Sequence, residues 1–121
     1  MTENELVERL RAGLSDAGRV REVKMFGGLG FMLNGHLIAG ASRRGLLIRV
    51  GQDGEREALA LPAAHRLEMR GREMPGYIRI ELPALSAKAV ATCLRVAVPH
   101  VQGLPAKRTA KKKTPKKKTK R

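Results

Sequence analysis

The stretch Val23-Lys24-Met25-Phe26-Gly27-Gly28-Leu29-Gly30-Phe31-Met32-Leu33-Asn34-Gly35-His36-Leu37-Ile38-Ala39-Gly40, continuing through Ala41-Ser42-Arg43-Arg44-Gly45 to Leu46-Leu47-Ile48-Arg49-Val50, decides the fold. Asn34-Gly35 sits between two apolar runs. A two-residue type I′ turn needs φ > 0 at both central positions, which asparagine and glycine adopt with the least strain, so a β-hairpin is expected there. Beyond Ile38 the chain turns again through Ser42-Arg43-Arg44-Gly45 into Leu46 to Val50. Three consecutive strands therefore form an antiparallel meander with short loops.

Gly27, Gly28 and Gly30 lie close together, as the glycines of a phosphate-binding loop do. Their spacing argues against that chemistry. A dinucleotide fingerprint requires glycine or alanine at position 33, which is Leu33, and a helix afterwards, where this chain has a hairpin. A Walker loop would end in Gly-Lys-Ser/Thr, which is absent. The expectation is a tight corner between strands, with glycines permitting positive φ or close backbone approach.

Lys24-Met25-Phe26-Gly27-Gly28, then Gly30-Phe31 and Asn34-Gly35, resemble the N-terminal domain of the TfoX/Sxy family of bacterial competence regulators. The strand Leu46 to Val50, the segment Gly71-Arg72-Glu73-Met74-Pro75-Gly76-Tyr77-Ile78 and the ending Leu104-Pro105-Ala106-Lys107 are similar to later parts of that domain. The resemblance covers about residues 3 to 106. It implies a small α+β domain without established catalytic residues, in a family tied to transcriptional regulation of DNA uptake, with Met25, Phe26, Gly27, Gly28, Gly30, Asn34 and Gly35 as structural motif positions. Full-length members carry a second, helical domain at the place where this chain runs into lysines.

Working outward, Thr2 and Glu5 fit a capping box, with Leu6, Val7, Leu10, Leu14 and Ala17 on one helical face to about Ser15. Gly18 is the expected stop, and Val20 to Phe26 the first strand. After Val50, Gly51-Gln52-Asp53-Gly54 breaks the pattern and Glu55 to Leu61 suits a short helical turn before Pro62. Leu67 to Arg70 and Tyr77 to Ile80 alternate, with Gly71 to Gly76 as their connection. Ser86 caps a last helix whose apolar stripe runs from Ala87 to Val98, and Pro99 is expected to end or kink it. The class is α+β: a five- or six-stranded antiparallel sheet covered by an N-terminal and a C-terminal helix.

The 121 residues have room for one domain, residues 1 to 106, followed by a lysine-rich tail at 107 to 121. Net charge is +14, yet Lys107, Arg108, Lys111, Lys112, Lys113, Lys116, Lys117, Lys118, Lys120 and Arg121 supply ten positive charges with no acid among them. The body keeps fifteen basic against eleven acidic residues, a net +4. Such a tail buries nothing apolar and repels itself, so it is expected to stay disordered until an anionic partner neutralises it. It resembles the tails of linker histones and of some bacterial nucleoid proteins. A single cysteine, Cys93, suits a reducing compartment, and neither an export signal nor a membrane-length apolar run is present, so a cytoplasmic, nucleoid-associated location is expected.

Candidate chemistry is sparse. His36, His65 and His100 are far apart in sequence and from Cys93, so no metal and no cofactor is expected; His36, after the turn, reads as exposed. Cys93 lies beside the apolar stripe of the last helix and reads as a buried small hydrophobe rather than a nucleophile. Glu55/Glu57 and Glu68/Glu73 sit in charged, turn-rich stretches that read as solvated. Phe26 and Phe31 read as core, and Tyr77 between Arg70 and Arg79 is the one stacking candidate, with sheet packing as its plain alternative. Arg43 and Arg44 at a hairpin tip, with Arg49, Arg70, Arg72 and Arg79, make either a basic binding face or a solvated one.

Two function classes follow. The first is a non-enzymatic regulatory or nucleoid-associated protein whose TfoX-like domain contacts a partner, such as a transcription regulator or RNA polymerase component, while the tail, with Arg43 and Arg44, binds DNA without sequence preference. The second is an adaptor in transcriptional regulation whose tail serves only to localise it to nucleic acid. No membrane partner is expected, since no amphipathic or lipid element accompanies the lysines. Oligomeric state, including a homodimer, stays open.

Overall fold

Thr2 starts the first helix, α1 (Glu3–Leu14): its hydroxyl accepts from the Glu5 N–H at 3.1 Å, and the Glu5 carboxylate accepts from the Thr2 N–H at 2.8 Å. Two otherwise unpartnered N-terminal donors are thereby satisfied. Leu6, Leu10 and Leu14, four apart, are buried. The helix ends with Ser15 as its C-cap, three residues ahead of Gly18, which is therefore not the stop the sequence predicts.

The computed structural model describes residues 1–25 and 27–105. Phe26 and the tail residues 107–121 lie outside the described residues, and with them the expectations placed on both. Four strands run as a meander: β1 (Val20–Met25), β2 (Gly28–Leu33), β3 (His36–Ser42) and β4 (Gly45–Arg49). At the β2–β3 turn Asn34 has φ 53° and Gly35 φ 87°, the backbone that the Asn-Gly pair predicts. The chain leaves the sheet through a 3₁₀ turn, Gln52–Gly54, and a short helix, α2 (Glu55–Leu59). It returns as β5 (His65–Met69) and β6 (Arg72–Ile80), then ends in α3 (Ala87–Gln102). The six strands lie in the order β1-β2-β3-β4-β6-β5, every neighbouring pair antiparallel. The fold is α+β, as expected.

Two local expectations need correction. Gly71 to Gly76 is not a loop: the β5–β6 turn is Arg70-Gly71, with φ 54° and 78°, and β6 already begins at Arg72. Pro75 and Gly76 fall where the β5–β6 register shifts between Arg66 and Glu68, so the missing proline N–H breaks no ladder bond. Of the two outcomes expected at Pro99, an end or a kink, the first does not occur, and α3 runs on to Gln102. Val101, fully buried in that last turn, anchors the helix beyond the proline.

The sheet register sorts side chains into two faces. Phe31, Ala39, Ile48 and Ile78 are successive cross-strand partners, all fully buried, and pack in one core with Leu6, Leu10 and Leu14 of α1 and Val90, Cys93 and Ala97 of α3. Gly30, Gly40, Leu47 and Arg79 are partners in the adjacent row, and the pleat turns them to the opposite face. Both long helices cover the first face. Among the described residues the second carries no helix.

Glu55 ties the crossover segment to the sheet. The sequence places it in solvent beside Glu57, yet it is buried, because α2 packs against β6 and brings its carboxylate onto the Gly76 N–H and within 3.0 Å of the Arg66 guanidinium. Those contacts, the Gly76 hydrogen bond first and Arg66 second, hold its pKa below the usual carboxylate value. A depressed carboxylate contributes stability that is present above its unfolded pKa and lost as pH falls through its folded one. Glu55→Ala should therefore cost about 2 to 3 kcal/mol near neutral pH, the worth of a buried charge-assisted hydrogen bond. Glu55→Gln should flatten the loss of stability with acid below about pH 4.5, the ordinary carboxylate value. Urea titrations of native protein and variants across that range check both; superimposable curves would contradict the assignment.

Candidate functional site

The open face of the sheet holds the most unusual chemistry of the chain. Arg79 sits half-buried in its row beside Leu47, and its Nη1 donates to the Arg44 carbonyl oxygen at 3.3 Å. Arg44 and Arg43 are both exposed in the β3–β4 turn, where the Ser42 hydroxyl accepts from the Arg44 N–H at 3.1 Å. One row further on, the Arg49 guanidinium lies over the Tyr77 ring, 5.7 Å from its centroid, in cation–π contact. The Arg79 pKa is lowered, first by burial and then by the neighbouring Arg44 charge. The Glu81 carboxylate acts in the opposite sense and does not offset them.

Six ion pairs occur among the described residues, and they join Arg11 to Glu8 and Glu22, Arg66 to Glu55 and Glu73, Arg95 to Glu57, and His65 to Glu81. None of these involves Arg43, Arg44, Arg49 or Arg79. Glu81 is engaged with His65, on the side of β5 that also carries Leu67 and Met69. Only Glu68 joins Arg44 and Arg79 around the concavity between them.

That concavity, of about 140 Å³, has Gly40 and Leu47 in its floor and Met25, Leu67 and Met69 in its walls. Leu67 is buried yet stands apart from the main core cluster, and Met69, 43% exposed, is the large apolar side chain most open to solvent among the described residues. Alternation along β5 explains both, since His65, Leu67 and Met69 share one side of the strand. A Cβ added at Gly40 would meet nothing closer than 3.7 Å, so this glycine leaves space above the sheet rather than relieving a clash. Gly28 differs: a Cβ there would overlap the Ala41 carbonyl oxygen, which makes it a packing position of the β2–β3 pair.

The candidate residues read from sequence distribute unevenly. Met25, Gly27, Gly28 and Gly30 form the end of β1, its turn and the start of β2, and Asn34-Gly35 the next turn. Gly28 and Gly30 open a strand and not a helix, so no phosphate cradle is built there. Arg44 is brought to Arg79 through its carbonyl oxygen, with Arg43 beside it in the turn, while Arg49 lies further along the face at Tyr77. Arg70 and Arg72 lie at the opposite end of β6, on the order of 20 Å away at the usual strand rise. Tyr77 pairs with Arg49 rather than with Arg70.

The histidines and cysteine divide between structure and surface. His36 is buried, not exposed, and its Nε2 meets the Pro105 carbonyl oxygen at 2.6 Å, fixing the chain after α3 beside the β2–β3 hairpin. His65 is half exposed on the edge strand, its pKa raised by the Glu81 carboxylate at 3.0 Å. Cys93 is fully buried, and desolvation pushes its thiol up to about 11, which leaves it an unreactive core residue. Among the described residues no group of three or more His, Cys, Asp or Glu side chains is arranged to hold a metal ion.

This architecture, a six-stranded antiparallel sheet with two helices on one face and a basic concavity on the other, defines a small α+β domain whose free surface suits binding. The family model of the TfoX N-terminal domain matches residues 12–98, and the chain belongs to that family. Neither the curated proteins nor the solved structures yield a match.

Arg79 contributes little to folding on this geometry, since its desolvation and the Arg44 repulsion offset one long hydrogen bond to a carbonyl. Arg79→Met should leave stability within about 1 kcal/mol of the native protein, or raise it, as at sites where function opposes stability. Thermal melting checks this. A loss above about 2 kcal/mol would make Arg79 a structural residue.

Proposed function

We propose that the chain is a non-enzymatic regulatory, nucleoid-associated protein in which the TfoX N-terminal domain contacts a partner and the lysine tail binds DNA without sequence preference. The observation that carries the DNA half of the reading is charge: ten Lys/Arg without an acid in residues 107–121, against +4 for the rest of the chain. Such a run has no folding benefit and a direct electrostatic use on phosphates. Duplex DNA is favoured over a lipid surface because the sequence places no amphipathic element beside the lysines. No helix among the described residues is long and apolar enough to cross a membrane.

The partner half rests on the open face, where Arg43, Arg44, Arg49 and Arg79 have no ion-pair partner among the described residues. An adaptor that meets a transcription regulator or an RNA polymerase component would use that face while the tail holds it on the nucleoid.

Each neutralised phosphate contributes a slope near −0.9 in log affinity against log salt, so engagement of half the tail charges gives about −4 to −5. Lysines act as point charges and lack the bidentate geometry that reads a base edge, so affinity should be alike for unrelated duplexes. Mobility-shift titrations of the full chain at several salt concentrations, beside a chain ending at residue 106, test this. The full chain should bind with that slope and the shortened one should lose most affinity. A shortened chain that kept nanomolar binding to a preferred site would make the folded domain the reader.

A further inference from the structure

We infer that the concavity on the open sheet face is a docking site for an acidic peptide segment of a partner protein, taking one aliphatic side chain above Gly40 and Leu47 with flanking carboxylates on Arg79 and Arg44. The inference deepens the partner-contact reading and rests on it.

Charge complementarity carries the argument. Two guanidinium groups, Arg44 and Arg79, line the concavity and Arg49 lies further along the same face over Tyr77, none of them in an ion pair among the described residues; Glu68 is the acid in the described lining, and Glu81, which also acts on Arg79, is paired with His65. Arg79 is half-buried and next to a like charge, an arrangement that a carboxylate would complete with a charge-assisted, bidentate pair. Between the cations the lining is apolar, from Met25, Leu47, Leu67 and Met69. A volume of about 140 Å³ is close to the roughly 150 Å³ of a cavity that holds a benzene-sized group, so a single side chain fills it. Thioether walls adapt to aliphatic shapes.

The other occupants fit less well. A second copy of this chain would set guanidinium against guanidinium across a two-fold axis, where the same patch meets itself. A nucleobase would bring polar edges into a wall of Met and Leu side chains, and Tyr77, the one aromatic ring of the face among the described residues, is already covered by Arg49. An acidic and aliphatic segment satisfies both halves of the surface at once.

The test uses the full chain and two labelled nine-residue peptides, one with a central leucine among aspartates and one with serine in its place. Their equal charge gives the tail equal purchase on both, so any difference reads the concavity. By fluorescence anisotropy the leucine peptide should bind at least about tenfold tighter, the order supplied by burying one aliphatic side chain. Gly40→Leu fills the concavity without a backbone clash, and it should bring the two peptides level. Arg79→Met should weaken the leucine peptide more than the same variant weakens DNA binding. In spectra of protein carrying ¹³C-methyl methionine, the Met25 and Met69 signals should move with the leucine peptide while Met1 stays still.

Equal affinity for both peptides in the native protein, or a leucine preference that survives Gly40→Leu, overturns the proposal. So does a nine-nucleotide single strand that shifts Met25 and Met69 where the leucine peptide does not, which would make the face a nucleic-acid surface. The salt-dependent duplex binding of the tail is read separately. Its persistence beside level peptides would sink the docking site and leave the DNA reading standing.

Discussion

Everything else in this fold depends on the parity of one row of cross-strand partners. Phe31, Ala39, Ile48 and Ile78 stand side by side across four strands, and because side chains alternate along a strand, their facing inward turns Gly30, Gly40, Leu47 and Arg79 outward. A slip of one residue in β6 would bury Arg79 and expose Ile78. Burial of the first row under α1 and α3 supplies the core; the second row is left uncovered. The two-residue Asn34-Gly35 turn pairs Leu33 with His36, a register shift between Phe31 and Met32 then brings Phe31 opposite Ala39, and the Glu55 carboxylate ties the crossover segment to Gly76 of β6.

Much of this was legible in the sequence, for physical reasons that differ by element. The Asn34-Gly35 turn is readable because few residue pairs tolerate positive φ at adjacent positions, and the Thr2 capping box because its partners are three residues apart. Features that depend on distant contacts were not readable. Glu55 looks solvated among Asp53, Glu57 and Arg56, and only the packing of α2 on β6 brings it to Gly76. His36 looks like a turn-exit residue, and only the return of the chain at Pro105 buries it. Pro99 looks like a helix stop, but the core placement of Val101 outweighs one lost hydrogen bond.

The candidate site was half legible. Composition marks Arg43, Arg44, Arg49 and Arg79 as basic but leaves open whether they are a binding face or a solvated one. What the sequence lacks is the pairing. Among the described residues these four arginines enter none of the ion pairs, and the register sets Arg79 beside Leu47, itself opposite Gly40. The signal that might have found the concavity is the alternation of His65, Leu67 and Met69 on an edge strand, which puts apolar side chains on a face where a solvated sheet would carry polar ones.

The two-faced sheet is tested most directly by thiol labelling in the native state. Leu47→Cys and Ile48→Cys place a thiol on neighbouring residues of β4 that face opposite ways, and the native Cys93 serves as an internal buried reference. A maleimide should label the thiol of Leu47→Cys within seconds to minutes. That of Ile48→Cys should react, like Cys93, only as fast as the protein unfolds. Equal labelling at positions 47 and 48, or faster labelling at 48, would contradict the register and with it the open face on which the functional reading stands.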